Sequence, residues 1–278
     1  MCFGVRDAIT LALARADEGP LTILGDLVHN EAVLAALDAK GISTARRPAD
    51  VATPVVMITA HGASERKLAE TRALGLRIVE ATCPLVQTAH RAVASLVRDG
   101  YHPVIVGQRA HVEVRGLTED LDAFDVVLDA ADVDALPFHP RIGVAAQTTQ
   151  PIARVRHLVS LIRRRFPASD VRFADTVCQP TKQRQDAATA LARGSDVVIV
   201  VGGAHSNNTR ELAAVCARDC ARVHHVQDET GLRPEWFDAD DGVGITAGTS
   251  TPDEVNDRVE RRIREFDAAR SAGQAAAR

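Results

Sequence analysis

The sequence predicts an α/β protein of three similar lobes with mainly parallel sheets, arranged pseudo-threefold about a common centre. Three observations carry that expectation. Short β-branched runs alternate with Ala/Leu/Arg-rich stretches at helical spacing, the pattern of parallel sheets joined by crossover helices. Cys2, Cys83 and Cys178 each open a predicted helix, and each helix is followed by an apolar strand ending in Gly. The Cys-to-Gly offsets are 23, 24 and 24 residues, from Cys2 to Gly25, Cys83 to Gly107 and Cys178 to Gly202.

In chain order, the first helix is expected from Cys2 through Arg15, with its strand from Leu21 to Gly25. The second pair runs from Cys83-Pro84 through Arg98 and from Pro103 to Gly107, the third from Cys178 through Arg193 and from Val197 to Gly202. Pro84 and Pro180 suit a first helical turn, where a missing N–H costs little. Four residues after each Gly stands a polar side chain, with another two further on: His29 with Glu31, His111 with Glu113, Ser206 with Asn208. On an extended segment, His111 and Glu113 would share one side. A second strand in each lobe (58–60, 144–146, 245–247) runs into a turn carrying His61, Thr148 with Thr149, or Thr249 with Ser250. A third, Leu76 to Glu80 and Val171 to Ala174, leads into the next cysteine. The lobes so defined are 1–82, 83–177 and 178–268, with 269–278 a disordered tail. Ligands of α/β proteins bind beyond the carboxyl ends of parallel strands, so a threefold arrangement would bring the cysteines and polar turns to one pocket.

Composition removes several function classes. The net charge is 33 − 37 = −4, which gives no global positive field to hold nucleic acid or an anionic membrane. Seven Phe, one Trp and one Tyr leave little for base stacking. The longest apolar runs, such as Val197 to Val201, are far below the roughly 18 residues of a membrane span. Charge in the opening Met-Cys-Phe-Gly-Val-Arg-Asp argues against a signal peptide and for the cytoplasm. There an odd number of cysteines, five, argues against a disulfide framework and for metal binding or catalysis.

Three cysteines at helix N-termini, where the dipole favours anionic sulfur, make a plausible cluster site. Zinc generally uses local pairs such as C-x-x-C, whereas these spacings are 81 and 95 residues. A 4Fe–4S cluster with three protein ligands would leave one iron open to substrate. The plain alternative is three small buried hydrophobes. Cys216 and Cys220, four apart in an Ala/Leu-rich helix, read as core. His29, His61 and His111 with Ser206, Asn208 and Ser250 could hold a multiply charged anion such as a phosphate or diphosphate. Glu113 is the obvious proton carrier; taken singly, each of these residues would read as a solvated loop side chain.

These residues resemble the 4-hydroxy-3-methylbut-2-enyl diphosphate reductase family, the LytB type. The resemblance spans nearly the whole chain and rests on ordered motifs: Cys2-Phe-Gly-Val-Arg-Asp, Val28-His29-Asn30, Ala60-His61-Gly62, Ala81-Thr82-Cys83-Pro84, His111-Val-Glu113, Gln147-Thr148-Thr149, Asp175-Thr-Val-Cys178 and Thr246-Ala-Gly-Thr-Ser250. It implies reductive dehydroxylation of an allylic diphosphate, giving isopentenyl and dimethylallyl diphosphate in the methylerythritol phosphate route. By match, Cys2, Cys83 and Cys178 would hold a 4Fe–4S cluster. His29, His61, His111, Ser206, Asn208 and Ser250 would bind the diphosphate, Glu113 assisted by Thr148 would relay the proton, and reduced ferredoxin or flavodoxin would supply electrons. The chain departs from the family pattern in starting at Met1-Cys2 without a preceding strand, in Thr88 for a Lys, in Ala110 for a Gly, and in Ala204, His205 and Asn207 for a Lys-Asn pair and a second Ser. Other readings are a paralogue acting on another allylic diphosphate, a non-redox dehydratase, and a non-catalytic diphosphate-binding homologue.

Overall fold

In the computed structural model, the described residues are 1–276, with side chains described through Ala272. The elements are α1 (Phe3–Glu18), β1 (Leu21–Leu24), α2 (Glu31–Asp38), β2 (Ser43–Ala45), β3 (Val55–Ile58), α3 (Glu65–Ala73), β4 (Arg77–Glu80), α4 (Pro84–Arg98), β5 (His102–Val106), α5 (Val112–Thr118) and β6 (Asp125–Val127). There follow α6 (Ala130–Ala135), β7 (Arg141–Ala146), α7 (Ile152–Arg165), β8 (Asp170–Phe173), α8 (Gln179–Arg193), β9 (Val197–Val201), α9 (Asn207–Cys216), β10 (Arg222–Val226), β11 (Val243–Ala247) and α10 (Asp253–Ala276). The predicted cysteine helices and Gly-terminated strands thus form, within three residues of their expected ends.

Three parallel sheets share one strand order. The first is β2-β1-β3-β4, the second β6-β5-β7-β8, and the third β10-β9-β11. Residues 3–28 and 34–181 make one compact unit holding the two four-stranded sheets. Met1–Cys2, His29–Val33 and the chain from Lys182 onward make the other, with the three-stranded sheet.

The strand sequences explain the layers. In β9 every residue is buried, because its two faces are both covered: Val197, Ile199 and Val201 pack with Val255 and Val259 of α10, while Val198 and Val200 pack with Ala188 and Ala192 of α8 and Leu212 of α9. In the second sheet, Val104, Val106, Ile142 and Val144 meet Val155, Leu158 and Ile162 of α7. Ile105 and Ala145 face Ala89, Val93 and Leu96 of α4 from the other side. The period of two sorts each strand's residues between these clusters. Within the larger unit, Ser64 Oγ donates to the Glu119 carboxylate at 2.9 Å, and the Glu65 and Arg66 amides donate to Asp120 at 2.6 and 2.9 Å, tying the start of α3 to the end of α5.

Two expectations are corrected. The tail expected to be disordered from 269 is helical through Ala276, because its Ala, Arg and Gln residues favour helix and Arg270 donates to the Phe237 carbonyl; residues 277–278 lie outside the described residues. Glu113 does not sit on an extended segment. It is in the first turn of α5, because His111 caps that helix: its Nδ1 accepts from the Glu113 amide at 3.1 Å.

Candidate active site

The three cysteines are held by the same backbone device. In each case the Cys N–H donates to a carbonyl in the turn following the sheet's second long strand: Cys83 to Ala60 at 3.0 Å, Cys178 to Thr148 at 3.0 Å, and Cys2 to Thr249 at 2.9 Å. The glycines repeat likewise, with the N–H of Gly25, Gly107 and Gly202 donating to Ala45, Val127 and Val226 on the neighbouring strand. These equivalent bonds are the structural form of the 23- and 24-residue spacing. Met1–Cys2 is also tied by the terminal ammonium, 2.9 Å from Asp253.

In the larger unit the sequence-predicted residues form one connected group. The His61 and His111 rings meet edge to face with centroids 5.7 Å apart. His111 caps the helix that carries Glu113, and the Thr148 amide donates to Glu113 Oε1 at 2.6 Å. Thr148 then receives the Cys178 amide through its own carbonyl, and the Cys178 thiol lies 3.1 Å from Thr181 Oγ as donor. Glu113 is only 1% exposed, so it is no solvated loop carboxylate. Burial pushes its pKa from 4.5 up to about 7, outweighing the opposing hydrogen bonds from Thr148. A carboxyl so placed carries a transferable proton at neutral pH.

Cys83 precedes α4 with Pro84 at its first position, and its side chain makes no cap bond to the helix. Its sulfur lies against Gly4 so closely that a Cβ there would sit 2.6 Å from Sγ. His90, seven residues on from Cys83, was missed in the sequence. It packs against Gly62 and Gly116, its Nε2 is buried with no hydrogen-bond partner among the described residues, and burial lowers its pKa. Only a contact-level picture finds it, since histidine on a helix face has no distinguishing pattern.

The smaller unit holds a second group. Asn208 Oδ1 accepts from the Thr249 amide at 3.0 Å, Ser250 Oγ donates to the His29 carbonyl at 3.1 Å, and Ser206 Oγ caps α9 by accepting from the Thr209 amide at 3.2 Å. The 29–31 backbone approaches Gly203 so closely that a Cβ there would meet the His29 oxygen at 2.7 Å. Ser206, Asn208 and Ser250 are all buried. So is Asn207 at the first position of α9, and neither polar atom of its side chain has a hydrogen-bond partner among the described residues. Thr209 Oγ, beside Gly202, is in the same condition. Buried polar atoms of this kind are costly, and at a helix N-terminus they suit an anion's oxygens. Asn207 was legible in the sequence only as a departure from a family pattern.

Cys216 and Cys220 are buried, and burial raises Cys216 to about 11, so it stays a neutral thiol, as expected of core.

The family described as LytB protein matches residues 1–264. The chain is 36% identical to the 4-hydroxy-3-methylbut-2-enyl diphosphate reductase of Geobacter metallireducens, over 98% of this chain and 96% of that one. It is 38% identical to the Pelobacter propionicus protein of the same name, with 95% of each covered. Among solved structures, (E)-4-hydroxy-3-methyl-but-2-enyl diphosphate reductase, the terminal enzyme of the non-mevalonate pathway, aligns with a TM-score of 0.68 at 34% identity, covering 95% of this chain and 96% of that one. The Plasmodium falciparum E-1-hydroxy-2-methyl-but-2-enyl-4-diphosphate reductase shares the fold, with a TM-score of 0.87 at 24% identity over 94% of this chain and 84% of that one.

Proposed function

The chain belongs to the LytB protein family, and from that premise we propose which of its residues carry out the family's reaction. It is an iron-sulfur reductase of the methylerythritol phosphate pathway, converting 4-hydroxy-3-methylbut-2-enyl diphosphate to isopentenyl and dimethylallyl diphosphate. Two electrons and two protons enter, the allylic carbon–oxygen bond breaks, and water leaves.

Cys2, Cys83 and Cys178 would hold the cluster, taken here as 4Fe–4S. Their chemistry fits, because thiolates select iron–sulfur sites and all three lie half-buried on equivalent backbone hydrogen bonds. Gly4 fits too, since any side chain there would crowd the Cys83 sulfur. When bound, the cluster would supply the electrons and Lewis-acid iron for the allylic hydroxyl.

The protein's own groups do the rest. Glu113, protonated in part near pH 7, delivers the proton that lets oxygen depart as water rather than hydroxide. The Thr148 amide fixes its carboxyl, and Thr148 links it to the Cys178 backbone. His61 and His111 bind the substrate's diphosphate and so orient it beside that carboxyl. His29, Ser206, Asn208 and Ser250 bind the diphosphate, joined by Asn207, whose buried amide supports an anion at the start of α9. Reduced ferredoxin or flavodoxin would donate electrons, and the cytoplasm is the expected compartment; among the described residues no helix is long and apolar enough to cross a membrane.

The observation that carries this reading is Glu113, a carboxyl 1% exposed with a pKa of about 7, in the hydrogen-bonded group that also holds Cys178. The test is anaerobic purification, iron and sulfide analysis, and turnover with a chemical reductant. Product formation that needs no reductant would instead indicate a dehydratase, and substrate binding without turnover a non-catalytic homologue.

A further inference from the structure

At the opposite end of the second sheet the structure assembles three metal-ligating side chains that the reaction above does not use. We infer that His102, Asp125 and His139 form a binding site for a divalent transition metal of the zinc type.

The three are far apart in sequence and are brought together by strand pairing. His102 opens β5 and Asp125 opens β6, the neighbouring strand, so both project from the amino edge of the sheet. His139 lies in the loop between α6 and β7, two residues before β7 starts on the other side of β5. The residues of the reductase site follow the carboxyl ends of these strands, so a five-residue strand, about 15 Å, separates the two locations.

One ligand atom from each residue lies within 4.8 Å of the others. His102 Nε2 and Asp125 Oδ2 already pair at 2.8 Å. The His139 ring stacks on His102, centroids 3.6 Å apart and planes within 4°. Its Nε2 is buried with no hydrogen-bond partner among the described residues, a cost that a metal bond would remove. Zinc binds imidazole nitrogen and carboxylate oxygen at about 2.0–2.2 Å, so tetrahedral donors stand about 3.4 Å apart. With every ligand pair already within 4.8 Å, closing the site takes a shift of at most about 1.4 Å, with the His139 ring turning out of its stack. The strands hold two ligands still while the third swings: the Ser169 hydroxyl donates to the His139 carbonyl at 2.6 Å, anchoring the loop backbone as the side chain turns.

The donor set selects the ion. Two imidazoles and one carboxylate favour zinc and its neighbours over magnesium or calcium, which take oxygen ligands. All three side chains are half-buried, which leaves access for the ion and a fourth position for water. The bound metal would clamp the loop before β7 to the first residues of β5 and β6.

The test is zinc uptake by the cluster-loaded protein. Anaerobically purified holoenzyme is equilibrated with zinc sulfate, dialysed against metal-free buffer, and analysed for zinc and iron together, with the thermal midpoint read before and after. The wild type should retain one zinc per chain with its iron unchanged and gain thermal stability. His139→Ala, on a loop, and the near-isosteric Asp125→Asn should each lose that zinc, weakening binding by at least about tenfold, and lose the thermal gain while keeping their iron. No retained zinc in the wild type, or equal zinc in the wild type and in both variants, overturns the site. Either variant alone suffices should the other fold poorly, and since the readout is zinc, failure of the reductase reading would leave this result standing.

Discussion

Replacing Glu113 by Gln separates chemistry from architecture, because the side chain is both buried and titratable. Gln keeps the shape and an oxygen for the Thr148 amide but carries no exchangeable acid proton. If Glu113 protonates the departing oxygen, turnover should fall by about 10²-fold or more, the usual worth of a general acid. Iron content and substrate affinity should survive. A second readout follows from the pKa. Raised from 4.5 to about 7, it means that the folded state binds more protons than the unfolded state between those values. Stability therefore falls as pH rises through this window, and is fully present only below it. At about 1.4 kcal/mol per pH unit, raising the pKa from 4.5 to about 7 costs the wild type about 3.5 kcal/mol above pH 7, a penalty that Gln never incurs. Glu113→Gln should thus be more stable than the wild type at pH 8 and nearly equal to it at pH 4.5, as read from anaerobic denaturation. Wild-type turnover should also decline above pH 7 as the carboxyl loses its proton. Near-normal turnover of the variant with iron intact would refute the acid role; a stability difference independent of pH would refute the burial argument.

Ser substitution at Cys2, Cys83 or Cys178 should abolish most iron binding, whereas Cys216→Ser and Cys220→Ser should keep it at some cost in core stability; iron per chain decides both. Gly4→Ala should lower iron content although Ala favours the helix by up to about 1 kcal/mol, because its Cβ would lie 2.6 Å from the Cys83 sulfur; unchanged iron would count against that crowding. His61→Ala should raise KM and, through misplacement of the hydroxyl, also lower kcat, measured by steady-state reduction of the allylic diphosphate; unchanged kinetics would remove it from the pocket. Asn207→Ala should raise KM with iron unchanged, and the same assay on substrates with and without the diphosphate shows whether it reads that group.

The sequence alone determined the repeating architecture, because strands buried on both faces read as continuous β-branched runs and the helices between them as amphipathic stretches. The cysteine-to-glycine spacing was legible because one hydrogen-bonding pattern recurs: each cysteine amide reaches the turn after its sheet's second long strand. Residue type and spacing say nothing, however, about which polar side chains lose their water. His111, Glu113, Ser206 and Asn208 each resembled loop residues, yet only the fold puts His111 at a helix cap, buries Glu113 until its proton is held to about pH 7, and leaves the Asn207 amide without a protein partner among the described residues. His102, Asp125 and His139 had no pattern at all, since they lie 23 and 14 residues apart and on different elements. Strand order made them neighbours. Local propensity is carried by adjacent residues and can be read along the chain, whereas desolvation and the meeting of distant side chains depend on tertiary packing, which the order of residues does not display.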